Sequence, residues 1–231
     1  MIRKAEFLPL LKNDYPTSDG RPMAETDFHR ILMTELIETL MDHYAANPNV
    51  YVSGNLLLFY EEGNKRRHVS PDVMVVFGVP KEPRLNYRVW VEGKAPSVVI
   101  ELTSSSTRKE DRTKNWVLYR DVLKVPEYFL FDPFGDYLKP RFQGFRLVKG
   151  EYKAFRSTNG RMKSQKLGLI LEQDGDKLRL FNPGTGQRLM TREELVQTTR
   201  ADSQELVDAK AEIVRLRKML AQRERNGNSQ H

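Results

Sequence analysis

The chain has 231 residues, with 38 lysines and arginines against 31 acids, a formal charge of +7, 39% hydrophobic residues and no cysteine. This supplies one ordinary core plus an appendage, and it excludes disulfide frameworks and cysteine-based zinc sites. No apolar run approaches the roughly 18 residues of a spanning helix. Asp14 and Tyr15 arrive before any sustained apolar stretch at the N-terminus, so a secretory signal is not expected and a cytoplasmic location is. The basic balance suits a polyanionic partner, of which nucleic acid is the commonest.

From Glu25 to about Tyr44, Phe28, Leu32, Leu36 and Leu40 recur every four residues, with Ile31 and Ile37 widening the stripe, which predicts an amphipathic helix capped by Thr26 or Asp27. A β-rich run follows from Val50 to about Glu61, and the Glu62–Arg67 cluster reads as a hairpin-like turn. Asp72 opens a further strand. Ser97 to Leu102, the most apolar short run, is expected to be a central, buried strand. The residues Ser104 to Thr107 break the pattern and supply caps, with Ser104 and Ser105 more suited to capping than to catalysis. The stretch from Lys109 to Leu123 then predicts a helix burying Trp116, Leu118, Tyr119 and Leu123, and Glu127 to Phe131 another strand. Strand, helix and strand within so short a span imply a βαβ crossover with parallel strands.

Beyond Gly135 short β segments alternate with turns at Gly150, Asp174-Gly175 and Pro183-Gly184, and they carry no catalytic spacing. Thr191 with Glu194 forms a capping-box pattern. Leu195, Thr199, Asp202, Leu206, Ala209, Ile213, Leu216 and Leu220 then fall on alternating three- and four-residue steps. From Leu206 to Leu220 this seam reads as a short parallel or antiparallel coiled coil joining two chains into a homodimer, against the alternative of one amphipathic helix packed on its own domain. The expected organisation is a domain over 1–185, a C-terminal helix over 191–225 and a disordered tail over 226–231.

The sequence has no GxxxxGK[ST], HExxH or GxSxG, which leaves carboxylates placed against strands as the chemistry-bearing groups. Asp72 begins one strand and Glu101 lies near the C-terminal end of another, where open α/β sheets place their sites. Two such carboxylates are hard oxygen ligands, matched to Mg²⁺ or Mn²⁺ rather than zinc. The alternative is structural, with Glu101 facing solvent or satisfying an arginine.

The blocks Ser70-Pro71-Asp72-Val73, Pro96 to Ser104, Ser106-Thr107, Lys114 with Tyr119, and Pro126 to Pro133 follow one another in an order that resembles the Uma-type endonucleases, a bacterial family within the PD-(D/E)XK superfamily. The likeness covers roughly residues 15 to 155 and includes the helix that holds His29. It implies a restriction-endonuclease-like α/β fold, a mixed β-sheet core flanked by helices, followed here by the C-terminal coiled-coil helix. It also implies a Mg²⁺- or Mn²⁺-dependent DNA endonuclease that hydrolyses phosphodiester bonds. In that frame Asp72 and Glu101 bind the ion with the Leu102 carbonyl. Thr103 occupies the position where the superfamily carries its lysine, and Lys114 is the substitute expected on the following helix, with Lys109 as a second candidate. Lys114 would orient the attacking water or stabilise charge on the phosphorane. Glu35 and His29 are further candidates for the same cleft. The missing lysine keeps a rival open: a catalytically inactive nucleic-acid-binding or scaffold protein on the same fold.

Overall fold

The computed structural model describes residues 15–18, 26–103, 110–136 and 138–227. The chain divides into two compact units, Met1–Leu189 and Met190–His231. The first is built on a six-stranded sheet of order β1 (Val50–Ser53), β4 (Val73–Phe77), β6 (Val98–Leu102), β7 (Glu127–Phe131), β8 (Phe142–Val148) and β9 (Glu151–Ala154). Only β6 and β7 run parallel, through the crossover that the sequence implies; the other neighbours are antiparallel. Two three-stranded sheets accompany it: β2 (Leu58–Phe59), β3 (His68–Val69) and β5 (Tyr87–Arg88), then β10 (Arg161–Lys163), β11 (Ile170–Asp174) and β12 (Lys177–Phe181). The β-rich run after Val50 is therefore split between two sheets at Gly54-Asn55. The turn before Arg67 does join a hairpin, β2 to β3.

Successive side chains of the central strands point to opposite faces and feed two cores. Val73, Val75, Val98, Ile100, Phe129 and Phe131 pack with helix α1 (Asp27–His43) and with leucines of β11 and β12. Met74, Val76, Val99, Tyr128 and Leu130 pack instead with Tyr119, Leu123, Leu58 and Tyr87. Both faces are covered, which is why β6 and β7 read as continuous apolar runs without alternation. Helix α1 starts at the Thr26 cap, whose hydroxyl accepts the His29 amide, and it buries Leu32, Met33, Leu36 and Leu40. Phe28 and Ile37 pack at the margin, whereas Ile31 is 48% exposed. Position 31 lies on the flank of the stripe, about 100° from Leu32, and the sheet does not reach it.

The segment after β6 departs from the expected α-helix. It contains π-helical turns over Glu110–Asn115 and Leu118–Val122, and the Leu123 amide donates to the Leu118 carbonyl five residues back. The wider turn accommodates large rings on its buried side: Trp116 lies 4.6 Å from Phe145 and Tyr119 lies 5.0 Å from Tyr128. Such turns are rare and recur at functional sites. A short helix, α2 (Val89–Glu92), closes on Gly93 in the left-handed conformation.

The second unit is one helix, α3 (Arg192–Gly227), of 36 residues. Its start is a complete capping box: the Glu194 amide donates to the Thr191 hydroxyl and the Thr191 amide to the Glu194 carboxylate. Leu206, Ile213 and Leu216 are each about half exposed along it. Among the described residues no helix is long and apolar enough to cross a membrane.

Candidate active site

The antiparallel register of β4 and β6 pairs Val73 with Ile100, so the residues that follow in each direction, Asp72 and Glu101, lie opposite one another at the same end of the sheet. They are joined reciprocally. The Asp72 amide donates to Glu101 Oε2 at 3.0 Å, and the Leu102 amide donates to Asp72 Oδ2 at 2.7 Å. Each carboxylate thus grips the other's strand through a backbone N–H.

A second tier of contacts orients the pair from both faces. From the α1 side, His29 Nε2 stands 3.2 Å from Asp72 Oδ1. From the opposite core, the Tyr119 hydroxyl donates to Glu101 Oε1 at 2.7 Å. Burial, reinforced by the Glu101 charge, pushes the Tyr119 phenol well above its ordinary value of 10, so it holds its proton and stays a donor. Glu101 itself is 4% exposed. Asp72 has 17% of its side chain exposed, and among the described residues it meets no lysine or arginine.

Gly54 makes this geometry possible. A Cβ built there would fall 1.9 Å from the Asp72 carbonyl oxygen and 2.7 Å from Ile37 Cδ1. The Asn55 amide meanwhile donates to the Pro71 carbonyl at 2.8 Å. The chain leaving β1 therefore runs hard against the Pro71-Asp72 backbone and fixes its height over the sheet. Gly54 and the Tyr119 hydroxyl are the two contributors that sequence reading did not assign to the site. Each carried a signal: a glycine within a strand pattern marks close backbone approach, and a buried tyrosine requires a partner for its hydroxyl.

The structure brings Asp72, Glu101 and His29 together; the other candidates lie elsewhere or do other things. Thr103 is buried, and both its amide and its hydroxyl donate to the Phe131 carbonyl, at 2.8 and 3.2 Å, stitching the ends of β6 and β7. Glu35 pairs with Lys177 at 2.9 Å and approaches Arg179 at 3.9 Å, tying α1 to β12. Lys114 is exposed on the first π-helical segment, and among the described residues no hydrogen bond or ion pair links it to either carboxylate. Lys109, Ser104 and Ser105 lie outside the described residues.

A family profile described as "Putative restriction endonuclease" matches residues 5–207. The chain belongs to that family, Uma2. The match spans the six-stranded sheet, the carboxylate pair and the first part of α3, and so covers the first unit from residue 5 onward. A solved structure from Anabaena variabilis ATCC 29413, titled as a putative nuclease belonging to DUF820, is similar at 16% identity and a TM-score of 0.46. That similarity covers 68% of this chain and 87% of the other. No curated protein matches the chain in sequence.

The residues present fit a hard divalent cation. The donor set is two carboxylates locked side by side, and their strand positions are held by amides, a phenol and an imidazole. Among the described residues no group of three or more histidine, aspartate or glutamate side chains is arranged to hold a metal ion, so the protein's own donors here are the two carboxylates. A two-carboxylate site of this kind suits Mg²⁺ or Mn²⁺, which keep several waters, better than zinc, which draws on nitrogen and sulfur.

Proposed function

We propose that this Uma2-family chain is a cytoplasmic, divalent-metal-dependent DNA endonuclease in which Asp72 and Glu101 hold Mg²⁺ or Mn²⁺, helped by the Leu102 carbonyl. The observation that carries the reading is the reciprocal clamp: each carboxylate accepts an amide from the other's strand, which fixes both on rigid scaffold. A bound ion would neutralise charge growing on the phosphoryl group and acidify a water. The chain's own part is positional. Tyr119 sets the rotation of Glu101, and His29 sets that of Asp72. Lys114, exposed on the segment that carries Tyr119, is the cation assigned to the attacking water or the phosphorane charge.

The test is Mg²⁺-supported cleavage of supercoiled plasmid by the parent and by Asp72→Ala. Cleavage by the parent and none by a folded variant is expected. A folded Asp72→Ala protein that cuts at the parent's rate would sink the assignment.

One observation favours a second reading, a nucleic-acid-binding protein without catalysis. The lysine position of the motif is Thr103, and its hydroxyl is spent on the Phe131 carbonyl. That reading expects DNA retention with no cleavage in Mg²⁺ or Mn²⁺, and binding that weakens steeply with salt.

We further propose that α3 joins two chains as a coiled coil through the seam that includes Leu206, Ile213 and Leu216, apolar positions left about half exposed on a single chain. Sedimentation equilibrium should give a dimer for the parent and a monomer for Leu206→Asp/Ile213→Asp. A variant that stays dimeric removes the seam from the interface.

A further inference from the structure

Positive charge is distributed very unevenly. Residues 139–166 hold nine lysines and arginines against one acid, Glu151, a surplus of eight, whereas the whole chain has a surplus of seven. The rest of the molecule is therefore slightly acidic, and its basic character resides in β8, β9, β10 and their connections.

The fold gathers these cations at one rim. Arg146 on β8 faces Lys153 directly across the strand pair, which puts their side chains on the same face of the sheet. The Arg146 guanidinium packs 4.4 Å from the Phe155 ring, pairs with Glu127 and donates to the Lys163 carbonyl of β10. The Lys166 amide donates to the same Glu127. Lys153, Arg156, Lys163 and Lys166 thus lie on backbone that touches, or directly adjoins, the Arg146–Glu127 pair. All four are exposed, and among the described residues none has an acidic partner. Their mutual repulsion is a standing cost that a polyanion would relieve.

The register relates this rim to the carboxylates. Phe142 lies opposite Phe131, itself opposite Leu102 at the Asp72–Glu101 end, while Arg146 lies opposite Glu127, four residues along. At about 3.3 Å per residue that is roughly 13 Å, the rise of about four base pairs. Lys153 and Lys163 are held on paired strands, Arg156 and Lys166 lie on the connections that follow them, and the aromatic ring among them, Phe155, is covered by Arg146. Such a surface suits phosphates along a duplex better than unstacked bases, which need exposed ring faces.

We propose that the Lys153, Arg156, Lys163 and Lys166 rim is the track that holds the phosphate backbone of double-stranded DNA while the carboxylate end reaches a phosphodiester a few base pairs away. This rests on the nuclease reading and assigns its substrate surface.

Fluorescence anisotropy of a labelled 20-base-pair duplex in EDTA, across a salt series, tests it without competing cleavage. The fourfold variant Lys153→Gln/Arg156→Gln/Lys163→Gln/Lys166→Gln should bind at least tenfold more weakly at about 0.1 M salt. Its log–log salt slope should fall by about 3 to 4, near 0.9 for each phosphate that is no longer neutralised. Neutralising four cations of α3 (Lys210, Arg215, Arg217 and Lys218) should change binding less than twofold, and circular dichroism confirms folding of both proteins. If misfolding removes the fourfold variant, the single reversal Lys153→Glu replaces it, with a loss of threefold or more expected. Equal losses from the rim and α3 sets would overturn the track, as would parental retention of duplex RNA but not duplex DNA. If the rim variant binds like a parent that cleaves, the track is wrong and the nuclease reading stands. A parent that neither binds nor cleaves duplex DNA removes both.

Discussion

Two glutamates on neighbouring parallel strands are almost wholly buried and are held in different ways. Glu127, at the start of β7, is 1% exposed and meets the Arg146 guanidinium, the Ser164 hydroxyl and the amides of Gln165 and Lys166. These contacts bind the six-stranded sheet to the chain between β10 and β11, with the charge matched by a cation on the spot. At the other end of the strand pair, Glu101 and Asp72 accept a phenol, two amides and an imidazole contact, and each holds the other's strand. The first arrangement spends a carboxylate on cohesion. The second fixes the direction of two carboxylates at one end of two interior strands. Burial is the same for both glutamates; what differs is the kind of partner, and the proposed function rests on that difference.

The sharpest way to break this contrast is to neutralise one carboxylate at each end. Asp72→Asn keeps the volume and an acceptor oxygen. It should lower Mg²⁺-supported cleavage more than about a hundredfold, beyond the 10- to 100-fold typical of residues that merely orient ligands. Glu127→Ala should leave cleavage by the folded protein intact and reduce stability by about 2–4 kcal/mol. That is somewhat below the figure for breaking a fully buried pair, because Arg146 is partly exposed. Urea unfolding and plasmid cleavage on both variants read the two effects. If Glu127→Ala is the one that loses cleavage while staying folded, the comparison is wrong.

Tyr119→Phe probes the same contrast with a smaller expected effect. The hydroxyl acts on Glu101 alone, so its removal should weaken Mn²⁺ binding about 10- to 100-fold. Titration of Mn²⁺ followed by electron paramagnetic resonance measures this without reference to turnover. Unchanged affinity would leave Tyr119 a packing residue.

The sequence made much of this legible, for identifiable reasons. The apolar run around Ile100 announced a strand buried on both faces, and the short span to Glu127 implied the parallel crossover. The acids at 72 and 101 stood out because they lie at strand ends, where α/β sheets place their sites, and because the blocks around them resemble one family's motif. What escaped was whatever depends on contacts between distant segments. Nothing local distinguishes Glu35, paired with Lys177, from a ligand, or shows that the Thr103 hydroxyl turns to Phe131. The π-helical turns around Tyr119 also answer to tertiary packing rather than to propensity.

Gly54 belongs with these long-range features and supplies the next test. Because a Cβ there collides with the Asp72 carbonyl, Gly54→Ala must displace the backbone that presents Asp72. A loss of about 1–3 kcal/mol in stability is expected, with cleavage falling in the surviving folded protein. Gly144→Ala makes the matched control, since its Cβ would meet the Phe129 ring and the Met162 sulfur, in the core beside β7. That substitution should cost stability and leave cleavage unchanged. Equal effects of the two on cleavage would show that any core disturbance reaches the carboxylates.

The smallest expected effect concerns the frame near Glu127. The Tyr152 hydroxyl donates to the Val125 carbonyl at 3.0 Å, two residues before Glu127, and burial pushes the phenol well above 10. In the unfolded chain the phenol titrates near its ordinary value of about 10. Between these two values the unfolded state has released a proton that the native state still holds. The unfolded state therefore binds fewer protons, and stability falls as pH rises from about 10 upward. The contribution is fully present below pH 10, with a limiting slope of about 1.4 kcal/mol per pH unit. Tyr44 and Tyr87 are raised by burial in the same way and donate to the carbonyls of Leu167 and Lys94, so the parent's alkaline loss is shared. Tyr152→Phe should make the decline between pH 10 and 11 shallower by no more than that single-group slope, as read by urea unfolding at each pH. An identical decline in parent and variant would mean that the Tyr152 phenol ionises as readily folded as unfolded, and that this part of the frame is open to water.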